Sequence, residues 1–98
     1  MKSRLQEIRE LLRLHLPFLK ERFAVSSLSL FGSYVRQAEH VGSDLDVLVR
    51  FDRVPGLLGF IELENYLSDI LGVKVDLVMD GALKPSIGVR VRQEAVPV

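Results

Sequence analysis

Leu28-Ser29-Leu30-Phe31-Gly32-Ser33-Tyr34-Val35-Arg36, followed eight residues later by Asp44-Leu45-Asp46-Val47-Leu48-Val49, decides how this chain folds. A Gly-Ser turn closes one apolar run, and two carboxylates open the next. A third acid, Asp76, stands inside a later run, Val73-Lys74-Val75-Asp76-Leu77-Val78. A turn able to cradle a phosphate, beside acids able to gather a divalent metal, points to chemistry on a nucleoside triphosphate.

The flanking segments supply a scaffold for that stretch. Leu5, Ile8, Leu12 and Leu16 recur at helical spacing, which predicts a helix from Lys2 to His15. Pro17 is predicted to interrupt it, because its ring removes an amide donor. A short second helix then runs from Pro17 to Phe23 with proline at its first position. Val25 to Phe31 reads as a strand, and Ser33 as the cap of a short helix through Val35 and Ala38. Gly42-Ser43 is a loop, Leu45 to Phe51 a Val- and Leu-rich strand, and Pro55-Gly56 a turn. Leu57 to Leu71 carries a helical pattern that stops at Gly72. Val73 to Met79 is a strand, Asp80-Gly81 a turn, and Pro85 to Ala95 a last helix with Ile87, Val91 and Val89 as its inward candidates. This order predicts an α/β fold: a small mixed sheet of three to four strands flanked by helices, in one domain spanning residues 1–98.

Composition narrows the chemistry. Apolar residues make up 48% of the chain, which argues for a globule. Thirteen basic and thirteen acidic residues leave no net charge, so nothing favours direct nucleic-acid binding. There is no cysteine, which excludes disulfides, thiolate metal sites and a cysteine nucleophile. The N-terminus, Met-Lys-Ser-Arg-Leu-Gln-Glu-Ile-Arg, mixes charges and does not read as a signal peptide. No apolar run approaches the ~20 residues of a membrane span. The expected location is the cytoplasm.

The acids have two readings. Residues two apart on a strand share a face, so Asp44 and Asp46 would repel each other unless a cation lay between them. Alone, an Asp-x-Asp pair is more often two solvated acids. Asp76 changes the balance, because an acid within an apolar strand needs a partner if buried. That partner is either a base such as Lys74 or Arg50, or a metal shared with Asp44 and Asp46. Gly32 allows close approach of a phosphate, the Ser33 hydroxyl adds a hydrogen bond, and Arg36 lies one turn on. The bland alternative is an ordinary capped helix after a glycine turn. His15 reads as a boundary residue, His40 as a loop residue, Tyr34 as a ring packed on the sheet, and Arg92 with Glu94 as a solvated pair. The last helix offers Ile87, Val91, Arg90 and Arg92 to a partner.

Leu30-Phe31-Gly32-Ser33-Tyr34-Val35-Arg36 with Ser43-Asp44-Leu45-Asp46-Val47-Leu48-Val49 resembles the signature of polymerase-β-type nucleotidyltransferases. The small size, Ala82-Leu83-Lys84-Pro85 and Glu94-Ala95-Val96 are similar to the minimal nucleotidyltransferase (MNT) family. The chain departs from many relatives at Gln37, where they carry glycine. The resemblance implies a polymerase-β-like fold in which Asp44, Asp46 and Asp76 hold two Mg²⁺ ions and Asp76 helps deprotonate the attacking hydroxyl. It implies that Gly32 and Ser33 bind the β- and γ-phosphates of ATP. It further implies the antitoxin of a toxin–antitoxin pair, assembled with a HEPN-type ribonuclease toxin and moving AMP onto a tyrosine of that partner. Two alternatives stand: an antitoxin that neutralises by binding alone, and the catalytic subunit of a two-chain enzyme acting on a small molecule.

Overall fold

The computed structural model describes residues 2–40 and 42–98. Helix α1 (Arg4–Phe23) starts at Ser3, whose hydroxyl accepts the Gln6 amide while Gln6 Oε1 accepts the Ser3 amide. This capping box satisfies two otherwise orphaned donors. The helix runs through Pro17 without a break. The predicted interruption and separate second helix are therefore absent, and His15 lies inside α1, not at its end. Ile8, Leu12, Leu19 and Phe23 form one buried stripe that spans both sides of the proline. Pro17 itself is exposed, so water can serve the carbonyl that loses its donor. Burial of the stripe outweighs the local loss.

Strand β1 (Val25–Phe31) pairs antiparallel with β2 (Leu45–Phe51), and β2 pairs parallel with β3 (Val75–Met79). Helix α2 (Leu57–Leu71) makes the crossover between β2 and β3, and Gly72 ends it in the left-handed conformation, as predicted. Val73 and Lys74, expected in the third strand, precede it. A 3₁₀ turn (Asp80–Ala82) leads to α3 (Pro85–Glu94) and to a short β4 (Val96–Pro97) on the far side of β1. The four-stranded sheet has the order β3-β2-β1-β4.

Alternation gives the sheet two faces. Val25, Leu28, Leu30, Leu45, Val47, Val49, Val75 and Leu77 are buried in the core with the inner faces of α1 and α2. Asp46, Leu48 and Arg50 take the other side of β2. The β3 edge is protected by α2: Ser68 Oγ accepts the Val75 amide at 3.0 Å and Glu64 Oε2 accepts the Leu77 amide at 2.8 Å.

Pro17→Ala should stabilise the fold by about 1–2 kcal/mol. That is less than the full ~3 kcal/mol propensity difference, because proline also restricts the unfolded chain. Urea denaturation checks this, and an unchanged or lower midpoint would contradict it.

Candidate active site

Strand register assembles the acids. Phe31 pairs with Asp46 across β1 and β2, and Asp46 stands opposite Asp76 across β2 and β3. Asp44 sits just before β2, two residues from Asp46. Asp44 and Asp46 are half-buried, whereas Asp76 is exposed. The burial penalty expected for Asp76 does not arise, and Arg50, one of its candidate partners, is engaged elsewhere.

Gly32 follows β1 at a φ of +80°, in the left-handed region that favours glycine. A Cβ there would collide with the Asp46 carboxylate and lie 2.9 Å from its Cγ. Only glycine lets the turn approach this acid so closely. The predicted helix is a single turn that opens at the Gly32 carbonyl, so Ser33 lies inside it and is not its cap. The Val35 and Arg36 amides donate to the Gly32 carbonyl, Gln37 to Tyr34, and Ala38 to Ser33 at 2.8 Å. The last two bonds are the helix-ending pattern with a left-handed residue at Gln37, φ +57°. That conformation costs a non-glycine residue roughly 1–2 kcal/mol. The Tyr34 ring is buried in the core, as expected.

Phe31, Gly32, Arg36, Asp46, Ile87 and Glu94 line a cavity of about 260 Å³ together with Arg90 and Val91. The sequence reading missed the α3 wall. Arg36 Nη1 donates to Glu94 Oε1 at 2.7 Å, so Glu94 pairs with Arg36 and not with Arg92. Arg92 instead reaches Asp80. Arg92 Nε donates to Asp80 Oδ1 at 2.9 Å and Arg50 Nε to Oδ2 at 3.0 Å. Burial alone would raise the Asp80 carboxyl, but its hydrogen bonds from Arg92 and Arg50 hold it below the ordinary value. This buried acid ties α3 to β2. No motif marked it, because each partner is distant in sequence. Of the α3 residues expected to face inward, Val91 is buried but Ile87 and Val89 are exposed, because the short helix turns only a narrow face to the sheet; of the predicted docking residues, Ile87 and Arg90 remain exposed and unengaged by Asp80. Leu14 on α1 and Leu57 and Leu58 on α2 are more exposed than Ile87.

Burial pushes the Asp46 carboxyl up, and the charges of Asp76 and Asp44 push it further. Arg36 opposes this, and Glu94 adds to it. Asp46 therefore sits among negative charges that Arg36 offsets only in part. Among the described residues, no three acid, imidazole or thiol groups converge closely enough to hold a metal as they lie. Repulsion gives a physical reason for carboxylates to stay apart without a cation. The donor set, carboxylates without thiolate or imidazole, suits a hard cation such as Mg²⁺.

A mixed sheet with acids on neighbouring parallel strands, facing a Gly-Ser turn, defines a nucleotidyltransferase-type fold. The chain belongs to the family described as the nucleotidyltransferase domain, which matches residues 12–96. It is 49% identical over 94 residues to the protein adenylyltransferase MntA of Thermococcus cleftensis, covering 96% of this chain and 95% of that protein. A solved structure described as a candidate minimal nucleotidyltransferase aligns at a TM-score of 0.77 with 34% identity, covering 96% of this chain and 92% of that one. A chain of a toxin–antitoxin complex with AMP-PNP aligns at 0.69 with 26% identity, covering 94% and 69%. Among the described residues no helix is long and apolar enough to cross a membrane.

The raised Asp46 carboxyl has a definite sign. The folded state holds this proton more tightly than the unfolded chain, so stability falls as pH rises from the ordinary value of 3.8 through the raised one. Asp46→Asn removes the ionised group. It should raise the melting temperature near neutral pH, and the gain should vanish in acid below 3.8. Thermal denaturation at both pH values checks this; a loss of stability near neutral pH would contradict it.

Proposed function

We propose that this protein is an antitoxin that transfers AMP from ATP to a tyrosine hydroxyl of a HEPN-type toxin, in a cytoplasmic complex of the two. The observation that carries the reading is the contact of the Gly32 turn with Asp46, which in turn faces Asp76 in strand register. The turn supplies backbone amides for phosphates, and the acids supply oxygen ligands beside it. The 49% identity to a protein adenylyltransferase supports protein as the acceptor class. The toxin–antitoxin neighbour holding AMP-PNP supports both ATP and the kind of partner.

Each residue has a role in this reading. Gly32 and Ser33 hold the β- and γ-phosphates, and Arg36 adds its guanidinium. Asp44, Asp46 and Asp76 would hold two Mg²⁺ ions, which would neutralise charge at the α-phosphate and lower the pKa of the attacking hydroxyl. The tyrosine oxygen attacks the α-phosphorus, the bond to the bridging oxygen of the β-phosphate breaks, and pyrophosphate leaves. Asp76 Oδ takes the hydroxyl proton. Its exposure suits this role, because the acceptor must reach it from another molecule. The cavity between the turn and α3 is too small to enclose a second polypeptide, so the tyrosine enters from the open side.

Intact-mass spectrometry of the partner tests this reading. Incubation with ATP and Mg²⁺ should add AMP to the partner. Asp76→Ala should abolish the mass gain and leave the complex assembled. A partner neutralised without any mass gain, and equally well by Asp76→Ala, would show neutralisation by binding alone.

A further inference from the structure

Glu94 stands at the end of α3, far in sequence from the Gly-Ser turn and the three acids. Its backbone is held on both sides. Two residues earlier, Arg92 is fastened to buried Asp80. Two residues later, Val96 pairs with Leu30 in β1. Leu30 is itself two residues before Gly32, so α3 ends beside the start of the Gly-Ser turn. This placement explains an ion pair between positions as distant in sequence as Arg36 and Glu94. The Glu94 carboxylate is less exposed than its partner, 27% against 60%. It is therefore the fixed member, and the long arginine side chain is the one being held.

We propose that Glu94 is a positioning residue of the nucleotide site: it holds Arg36 on the wall of the cavity that Gly32 and Asp46 also line, ready to receive a phosphate. The inference rests on the nucleotide site proposed above. Glu94 takes one of the five N–H donors of the guanidinium at 2.7 Å. The planar fork keeps further donors for a phosphate oxygen, and an arginine already oriented loses less side-chain freedom when the phosphate arrives. A carboxylate at this position would otherwise be a liability. It adds negative charge near Asp46 and faces an anionic ligand, so its presence calls for a compensating gain. Orientation of Arg36 supplies that gain.

Arg90 lies one helical turn before Glu94 and lines the same cavity. The α3 wall thus offers the cavity a second guanidinium as well as the carboxylate that steadies the first. Glu94 could alternatively mimic a phosphate and keep the site closed until nucleotide displaces it. The two roles give opposite results.

Calorimetric titration of the full chain with AMP-PNP and Mg²⁺ separates them. Glu94→Ala should weaken binding by up to about tenfold, because Arg36 must then be ordered when the phosphate arrives. Glu94→Gln keeps an acceptor for Arg36 and should stay within roughly twofold of the wild type, because the oriented bond survives. Arg36→Ala should weaken binding at least as much as Glu94→Ala does, and adding Glu94→Ala to it should cause no further loss. Tighter or unchanged binding by Glu94→Ala would overturn the inference, as would full additivity with Arg36→Ala. Wild-type protein that binds no AMP-PNP would instead overturn the nucleotide site itself. Melting temperatures of all variants, expected close to the wild type for a half-exposed pair, show that each is folded.

Discussion

The parallel register of β2 and β3 sets Asp46 against Asp76, and the rest of the site is arranged around that confrontation. A strand alternates its side chains, so one register serves two purposes. Leu45, Val47, Val49, Val75 and Leu77 go into the core, and the acids between them go to the opposite face. A slip of one residue would bury Asp46 among leucines and valines and expose the core set. The apolar face therefore enforces a like-charge pair that the acids would not choose. Burial first, and then the neighbouring charges of Asp76 and Asp44, raise the Asp46 carboxyl as a result.

The second wall of the site depends on a different interaction. Asp80 is buried and binds both Arg50 and Arg92, one from β2 and one from α3. The helix is short and buries Val91 and Gly88, so its own apolar contacts are few. The two charge-assisted bonds fix it over the outer face of the sheet. That position brings Ile87, Arg90 and Glu94 to the cavity that Gly32, Arg36 and Asp46 line from the other side. Removing Asp80 would free two guanidinium groups and loosen one half of the site.

Local patterns carried most of the fold. The strands Val25–Phe31 and Leu45–Phe51, and the helix Leu57–Leu71 with its stop at Gly72, are legible because alternation, helical spacing and a terminal glycine are properties of adjacent residues. Pro17 misled because its local effect is real but smaller than the burial of a stripe that only tertiary packing creates. The two-residue β4 carries too little pattern to be seen, and its pairing with Leu30 is set by where α3 ends. Gly32, Asp44, Asp46 and Asp76 were singled out by spacing and by resemblance to polymerase-β-type enzymes, and the fold brings Gly32, Asp46 and Asp76 together. The pairs Arg36–Glu94 and Asp80–Arg92 were not singled out, because charge alone says nothing of which of many acids a given arginine will meet. At Gln37 the residue type pointed away from the left-handed turn that the chain nonetheless makes.

The proposed chemistry requires Asp44, Asp46 and Asp76 to form one divalent-cation site beside the Gly32 turn. Crystals of the protein grown with Mn²⁺ and AMP-PNP test it directly, because manganese is located by its anomalous scattering. Manganese peaks coordinated by all three carboxylates, with the triphosphate against Gly32 and Ser33, are the expected result. Nucleotide bound elsewhere, or manganese peaks that leave Asp76 without a metal, would rule out a shared three-carboxylate site.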